Sequence, residues 1–529
     1  MANKLARQNQ TDSSATKLLW IDAMCINQDD NTEKSIQVQS IQSIYYKAQC
    51  VLIWINSPGT SGDERRRQEE TTTTIRKFSQ YHKAGVNTTE IVQSLDGSAD
   101  KDSNLTFQVT HSKQAGHWPH LVKFFDQDWW RRVWVRQEIA TSRRASVLYG
   151  ESTVDWEDVA TLSHWLIVFT TDLDAKTLQW GGAHQSGAYS GEDLQYFRNT
   201  LQNGGNLDFQ TILIHARSCE ATNPLDRVFA ILGMVQNHIE MPIDYHMSVA
   251  EVAKQTFQRL AVLNGGLDAL IFSQNPARKE GIPSWAANIY SSFSVRPSRL
   301  KGRDESLYRA SVDGPVSYSF LADSSTLSIS VAMFDSIRWI SKSFQPNMNR
   351  VDLDHAMRFL RAQAFGWMGA RSDSEKYEQL LRTLTRDQNI QGLRLMSGAG
   401  DCPNWGRFFR FEHEDVGAAT EFQYLSKALK PFQASADDAE IKAWLRLFSE
   451  SISNRRMVMT KGRKLGLVPT EAEEQDVLCT LASVDVPLLL RKIDVNTYIL
   501  IGEAFIHGAM DGEVLTSDIG FEELNIHLL

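Results

Sequence analysis

Residues 17–55 read KLLWIDAMCINQDDNTEKSIQVQSIQSIYYKAQCVLIWI, and the hydrophobic period changes twice within them. Lys17-Leu18-Leu19-Trp20-Ile21 is a short apolar run that stops at Asp22, which predicts a buried strand. Residues 25–30 read as a loop. From Thr32, the expected N-cap, the period becomes helical, with Val38, Ile41, Tyr45 and Ala48 on one face. Residues 50–55 are a second apolar run, closed by Ser57-Pro58-Gly59. Strand, helix and strand in so short a stretch predict a βαβ unit with parallel strands and a right-handed crossover. The fold class expected from it is α/β, with a parallel-sheet domain at the N-terminus.

The rest of the chain arranges itself around that unit. Residues 1–16 are polar and are expected to form a disordered tail. Residues 60–117 read as an insertion, with one amphipathic helix over 72–83 and a Ser/Asp/Gly/Lys-rich loop over 94–103. Asp128 is the expected N-cap of a helix over 129–142, and residues 145–149 read as a strand ended by Gly150. The N-terminal domain is thus expected to span 17–150. Residues 151–300 read as mainly helical, the clearest start being Ser248 with Glu251 three positions on, a capping box. Residues 301–455 alternate strand-like (327–331) and helical (438–453) segments. In 456–529 the runs 457–460, 477–481, 488–491 and 498–506 are short strands between Gly, Pro and Asp turns, which predicts a small β-barrel or sheet.

Bulk properties exclude several function classes. A net charge of -9 over 529 residues argues against binding the phosphate backbone, so no nucleic-acid partner is expected. The five cysteines are scattered and none forms CxxC, which points to reduced thiols in a cytosolic or nuclear setting, the cytoplasm being the expected location. No apolar run approaches the roughly 18 residues needed to span a bilayer, and the polar N-terminus lacks the apolar segment of a signal peptide. His111, His117 and His120 have ligand-like spacing, but with no cysteine or carboxylate pattern beside them a solvated loop is the stronger reading, and no metal is expected.

Two tryptophan-rich motifs carry a family resemblance. Leu19-Trp20-Ile21-Asp22-Ala23 with Cys25-Ile26-Asn27-Gln28, then Tyr45-Tyr46-Lys47-Ala48 and the run 51–55, resemble in order the first signature of the fungal heterokaryon incompatibility (HET) domain. Trp130, Arg132, Trp134, Gln137 and Glu138 resemble its second signature. Asn223 to Gly233 (NPLDRVFAILG), Ile282-Pro283-Ser284-Trp285, Leu465-Gly466-Leu467-Val468-Pro469 and residues 502–508 are similar to later segments of such proteins. The family's S-Y-x-W-G segment before LWID has no counterpart here, so the expectation is a domain lacking its first strand. The resemblance implies a self/non-self recognition and programmed-cell-death effector, acting through a protein partner or through self-association.

The HET domain in turn resembles TIR domains distantly, which implies a TIR-like, flavodoxin-like sheet and, for many TIR enzymes, NAD as substrate. TIR enzymes use a glutamate in a W-x-x-x-E pattern, and Trp134 to Glu138 is similar to it. On one continuous helix Trp130, Trp134 and Glu138 would share a face. Buried there, the Glu138 carboxyl would hold its proton more tightly, and the two indoles could stack a nicotinamide or adenine ring. Asp22, at the C-terminal end of an expected parallel strand, lies where open α/β sheets bind ligands, and Asn27 and Gln28 would add amide contacts. The alternative for the same residues is structural: Trp130 and Trp134 as core, Glu138 paired with Arg131 or Arg227, and Asp22 capping its loop. The functional expectations are therefore an incompatibility effector, an NAD hydrolase built on Glu138, or a non-catalytic interaction module or degenerate inactive copy.

Overall fold

A computed structural model describes residues 18–56, 61–85, 118–172, 183–217, 219–235, 240–264, 266–273, 281–289, 307–311, 317–321, 325–344, 360–368, 373–388, 394–395, 447–449, 451–516 and 522–529. The expected tail over 1–16, the loop over 94–103, His111, His117 and most of the expected helix over 438–453 lie outside these residues.

The first strand of the expected βαβ unit is absent. Leu18 to Ile21 has no regular structure, and Leu18 and Leu19 are exposed. A single helical turn, α1 (Asp22–Cys25), follows, and then α2 (Asn31–Lys47). An apolar run becomes a strand only where a ladder partner takes up its N–H and C=O groups, and none is provided here by a described strand. The cap of α2 also differs from expectation. Asp30 caps it, accepting from the N–H groups of Thr32 (2.9 Å) and Glu33 (3.1 Å). An ionised carboxylate outcompetes a hydroxyl at this position because it also meets the positive end of the helix dipole.

The N-terminal sheet has three strands in the order β1 (Val51–Asn56), β2 (Ala145–Tyr149), β3 (Ser152–Asp155). β1 and β2 are parallel, from Val51 opposite Ala145, and β2 and β3 are antiparallel. Between β1 and β2 the chain forms α3 (Gly62–Lys83), capped by Ser61, then α4 (Trp118–Phe125) and α5 (Val135–Ala140). Ile75 and Phe78 of α3, Phe124 and Phe125 of α4, and Val147 of β2 close one apolar core. Gly150, at φ +63, is required where it stands: a Cβ there would meet Oε1 of Gln68 on α3 at 2.0 Å.

The middle of the chain is helical: α6 (Trp156–Asp172), α7 (Ala183–Gln202), α8 (Phe209–Arg217), α9 (Asp226–Leu232) and α10 (Val249–Asn264). The capping box at α10 is present. Glu251 accepts from the Ser248 N–H at 2.7 Å, and Ser248 Oγ accepts from the Glu251 N–H at 3.2 Å.

The C-terminal part is a nine-stranded sheet that closes on itself. Its strands are β4 (Tyr318–Phe320), β5 (Leu327–Ile340), β6 (Arg455–Thr460), β7 (Leu465–Pro469), β8 (Val477–Thr480), β9 (Leu488–Asp494), β10 (Thr497–Glu503), β11 (Phe505–Ile506) and β12 (Glu522–Leu528), with α11 (Asp373–Leu384) and α12 (Glu513–Thr516) beside them. The path β5-β12-β10-β9-β8 returns to β5 through the antiparallel β5–β8 pairing, so these five strands form a barrel without free edges. β5 is long enough to serve both this ring and the β6–β7–β11 flap, with pairing irregularities between Met333 and Asp335 and between Ile337 and Trp339. One apolar core runs from Ile26, Val38 and Ile41 through α8–α10 to Leu488, Leu490 and Ile526 of the barrel. Among the described residues no helix is long and apolar enough to cross a membrane.

Candidate functional site

The two tryptophan-rich segments meet, although not by the route their spacing implies. Asp128–Arg131 is a turn of 3-10 helix, the chain then extends at Arg132 (φ -67, ψ 136), and α5 begins only at Val135. The interruption has a tertiary cause. The N–H of Val133 donates to the carbonyl of Glu220 (3.1 Å), and the N–H of Glu220 donates to the carbonyl of Arg131 (2.7 Å). A continuous helix would forfeit both bonds. Asp128 is therefore inside the 3-10 turn and caps nothing, and Trp130, Trp134 and Glu138 do not share a helix face.

Trp130 points into the N-terminal core. It is fully buried, donates its indole N–H to the Phe124 carbonyl (2.9 Å), and packs against Phe124, Phe125, Trp129 and Trp156. A ring so enclosed supports the structural reading of that residue. Trp134 is half-buried and lies against the other core, which Trp20 and Tyr45 also border.

Glu138 and Asp22 are brought within electrostatic reach of one another. Burial pushes the half-buried Glu138 carboxyl up to about 7; Arg132 opposes the shift, and Asp22 adds to it. The Tyr45 phenol is raised well above its ordinary range, first by burial, then by the Glu138 and Asp22 carboxylates. Trp20 stands edge-on to Tyr45, with centroids 5.8 Å apart. The cluster is thus Trp20, Asp22, Tyr45, Arg132 and Glu138. The partners expected for Glu138 on the structural reading are engaged elsewhere. Arg131 pairs with Asp126, Asp128 and Glu220, and Arg227 donates to the carbonyls of Cys219 and Ile289.

Asn27 and Gln28 stabilise their own loop. Asn27 Oδ1 accepts from the Asp29 N–H (3.2 Å), while the Asn27 N–H donates to Glu33 (3.1 Å). Gln28 Nε2 donates to the carbonyls of Asp22 and Ile26, both at 3.4 Å. Asp22 Oδ1 accepts from the Ala23 N–H (2.8 Å). Tyr45 and Trp20 belong to the cluster, but the sequence marks them only as apolar positions and as parts of the first motif, because an amphipathic face shows which side of a helix is covered and not what covers it.

Gln137, between Arg136 and Glu138, ties this region to α9. A Cβ on Gly233 would meet Gln137 Nε2 at 2.3 Å and Gln42 Cβ at 3.2 Å. The glycine that ends the NPLDRVFAILG segment lets α9 approach both α2 and α5. α9 is fixed to α2 from the other side as well: the Tyr245 hydroxyl donates to Asp226 (2.6 Å), and the Tyr245 N–H donates to Ser35 Oγ (2.9 Å).

Chemically, a carboxyl titrating near neutrality beside an ionisable neighbour can hold and release a proton at working pH. Among the described residues no group of three or more His, Cys, Asp or Glu side chains is placed to hold a metal ion.

The comparisons with known proteins agree with these motifs. The heterokaryon incompatibility protein (HET) family matches residues 4–138. Residues 4–138 are thus similar to a HET domain. The Het-6 beta-barrel domain matches residues 411–520, within the part of the chain that supplies strands β6 to β11. The chain is also similar to heterokaryon incompatibility protein 6, OR allele, of Neurospora crassa, at 22% identity over 572 residues, covering 94% of this chain and 81% of that protein. No solved structure matches. The matched span contains all five residues of the cluster, Trp20, Asp22, Tyr45, Arg132 and Glu138.

The carboxyl of Glu138 makes a pH-dependent contribution with a definite sign. In the unfolded chain it titrates near 4.5 and in the fold near 7, so the native state holds the proton more tightly. Stability is therefore greatest below the lower value and is lost as pH rises through the window between them. Glu138→Gln is expected to flatten this slope. Above pH 8 it should make the protein more stable than wild type by on the order of 2 kcal/mol, the full shift being discounted for partial exposure. Urea melts of both proteins at pH 5 and pH 8 read it directly.

Proposed function

We propose that the chain acts in fungal heterokaryon incompatibility, as a self/non-self recognition and cell-death effector. The observation that carries this reading is the order of its parts: a HET domain, a helical middle and a Het-6 barrel, similar over 94% of the chain to an incompatibility protein. The site of action is the cytoplasm, a setting supported by the free thiols of Cys25, Cys50, Cys219 and Cys479. Its target is a protein, or a second copy of the chain. The test is expression in a filamentous fungus, followed by hyphal fusion with strains that differ at incompatibility loci. Growth arrest confined to particular pairings is the expected result. Normal heterokaryons in every pairing, with the protein present at wild-type level, would refute the proposal.

A second reading, hydrolysis of NAD at its glycosidic bond, is favoured by one observation, the near-neutral Glu138 carboxyl beside Asp22. Glu138 would stabilise the oxocarbenium-like state or hydrogen-bond the ribose, with Trp134 as the stacking surface. Purified protein incubated with NAD is expected to release nicotinamide, and Glu138→Gln to lower that rate by a factor of 100 or more. If toxicity in the fungus survives Glu138→Gln but is lost when the exposed Ile36 of α2 is replaced by Asp in a variant that still folds, the domain works by contact and not by catalysis.

A further inference from the structure

The barrel side of the molecule contains a buried cation that has no acidic partner among the described residues. Arg386 follows α11 in a tight turn, with φ +51, and Asp387 after it has φ +56. Two successive non-glycine residues in the left-handed region carry strain that the surroundings must hold in place. They are held by Tyr308, whose hydroxyl donates to the Arg386 carbonyl (2.6 Å) and accepts from Gln388 Nε2 (3.0 Å). Arg386 is 3% exposed, yet its Nε and Nη1 have no hydrogen-bond acceptor.

The nearby acids are already engaged. Asp387 is shared by Arg382 (2.6 Å) and Arg394 (2.9 Å), and Arg394 also reaches Asp511 (2.5 Å). Glu503, wholly buried, is taken by Arg455 (2.6 Å). Arg455 itself lies within electrostatic reach of Arg386, so two buried guanidinium groups face one another's field. Water could accept from the Arg386 donors but would not compensate the charge, and an uncompensated buried cation is among the costliest features a fold can carry. Its fork of donors, with a second buried guanidinium within electrostatic reach, matches an oxyanion.

We propose that Arg386, backed by Arg455, binds a small phosphate-type oxyanion between the turn after α11 and the start of β6. The anion is either free inorganic phosphate or the phosphoryl end of a nucleotide. It joins the helical segment 373–388 to the barrel wall, so that occupancy tightens the packing of the C-terminal region.

Equilibrium dialysis of the full chain tests this, with labelled inorganic phosphate in one arm and ATP in the other. Saturable binding of one anion per chain is expected, weakened tenfold or more in Arg386→Gln and partly retained in Arg386→Lys. Saturation by phosphate alone identifies the free ion, and binding of ATP only identifies a nucleotide. In thermal melts, the anion should raise the midpoint of the wild type and leave that of Arg386→Gln unchanged. Absence of saturable binding of either anion to the wild type overturns the proposal, as does wild-type affinity in Arg386→Gln. Should Arg386→Gln fail to fold, the wild-type titration and Arg386→Lys decide the matter.

Discussion

Glu503→Ala is expected to destabilise the protein by about 3–5 kcal/mol, enough to unfold the C-terminal barrel at 37 °C. Glu503 ends β10 and Arg455 begins β6, and the two side chains are almost wholly inaccessible, at 0% and 1%. Neither ion gains much from the pair in net terms, since removal from water costs each several kcal/mol and their attraction roughly offsets that. The asymmetry lies in the deletion. With Glu503 gone, the Arg455 guanidinium remains buried without the carboxylate that pairs with it. The double variant Arg455→Met/Glu503→Leu should therefore recover most of the loss, as an apolar pair of similar volume. Denaturant midpoints for Arg455→Met, Glu503→Leu and the double variant complete a cycle beside Glu503→Ala. Equal instability of Glu503→Ala and the double variant would show that the cost is packing and not charge.

Trp130→Ala is the counterpart in the HET domain, expected to cost about 3–5 kcal/mol. The indole lies among Phe124, Phe125, Trp129 and Trp156, and truncation opens a cavity whose aromatic walls are held by several separate helices. Two polar consequences add to it. The Phe124 carbonyl loses its donor, and the backbone carbonyl of residue 130, which accepts from Ser190 Oγ (3.1 Å), shifts. Ser190 in turn accepts from the buried Arg136 guanidinium (3.0 Å), so the disturbance reaches α5. Trp130→Phe should recover more than half of the stability while still lacking the indole donor. The readout is the chemical-denaturation midpoint, followed by tryptophan fluorescence of the variant at matched protein concentration. Retention of the wild-type midpoint in Trp130→Ala would show that the cavity collapses freely.

What could be read from the chain depended on how local the deciding interactions are. The capping box at Ser248 and Glu251 involves neighbours, and it was legible. So were the strands β6, β8, β9 and β10, each an apolar run bounded by turn residues. The closure of the barrel was not, because the β5–β8 pairing joins Ala332 to Thr480, and no periodicity encodes a partner so distant. The same holds for the second HET signature. Its spacing suits a helix from Trp129 onward, but the bonds of Arg131 and Val133 with Glu220 break that helix. The Leu18–Ile21 run failed as a strand for the complementary reason, since its composition suited a ladder that no described strand supplies. Asp22 and Glu138 lie within electrostatic reach of one another, a proximity that no spacing in the chain marks. Arg386 gave no signal at all, because an arginine in a polar turn looks solvated until tertiary structure buries it.

The long strand β5 also sets a timetable. β4 precedes it, but its other partners, β6, β8 and β12, begin at Arg455, Val477 and Glu522, all more than a hundred residues after β5 ends at Ile340. A chain leaving the ribosome must therefore keep the apolar face of Leu327, Ile329 and Val331 from aggregating until those partners emerge. The N-terminal helices close short loops and can settle early, whereas the ring waits for its most distant pairings. Chaperone dependence in this protein should accordingly trace to one strand, and polar substitutions that spare the fold of β5 should ease it.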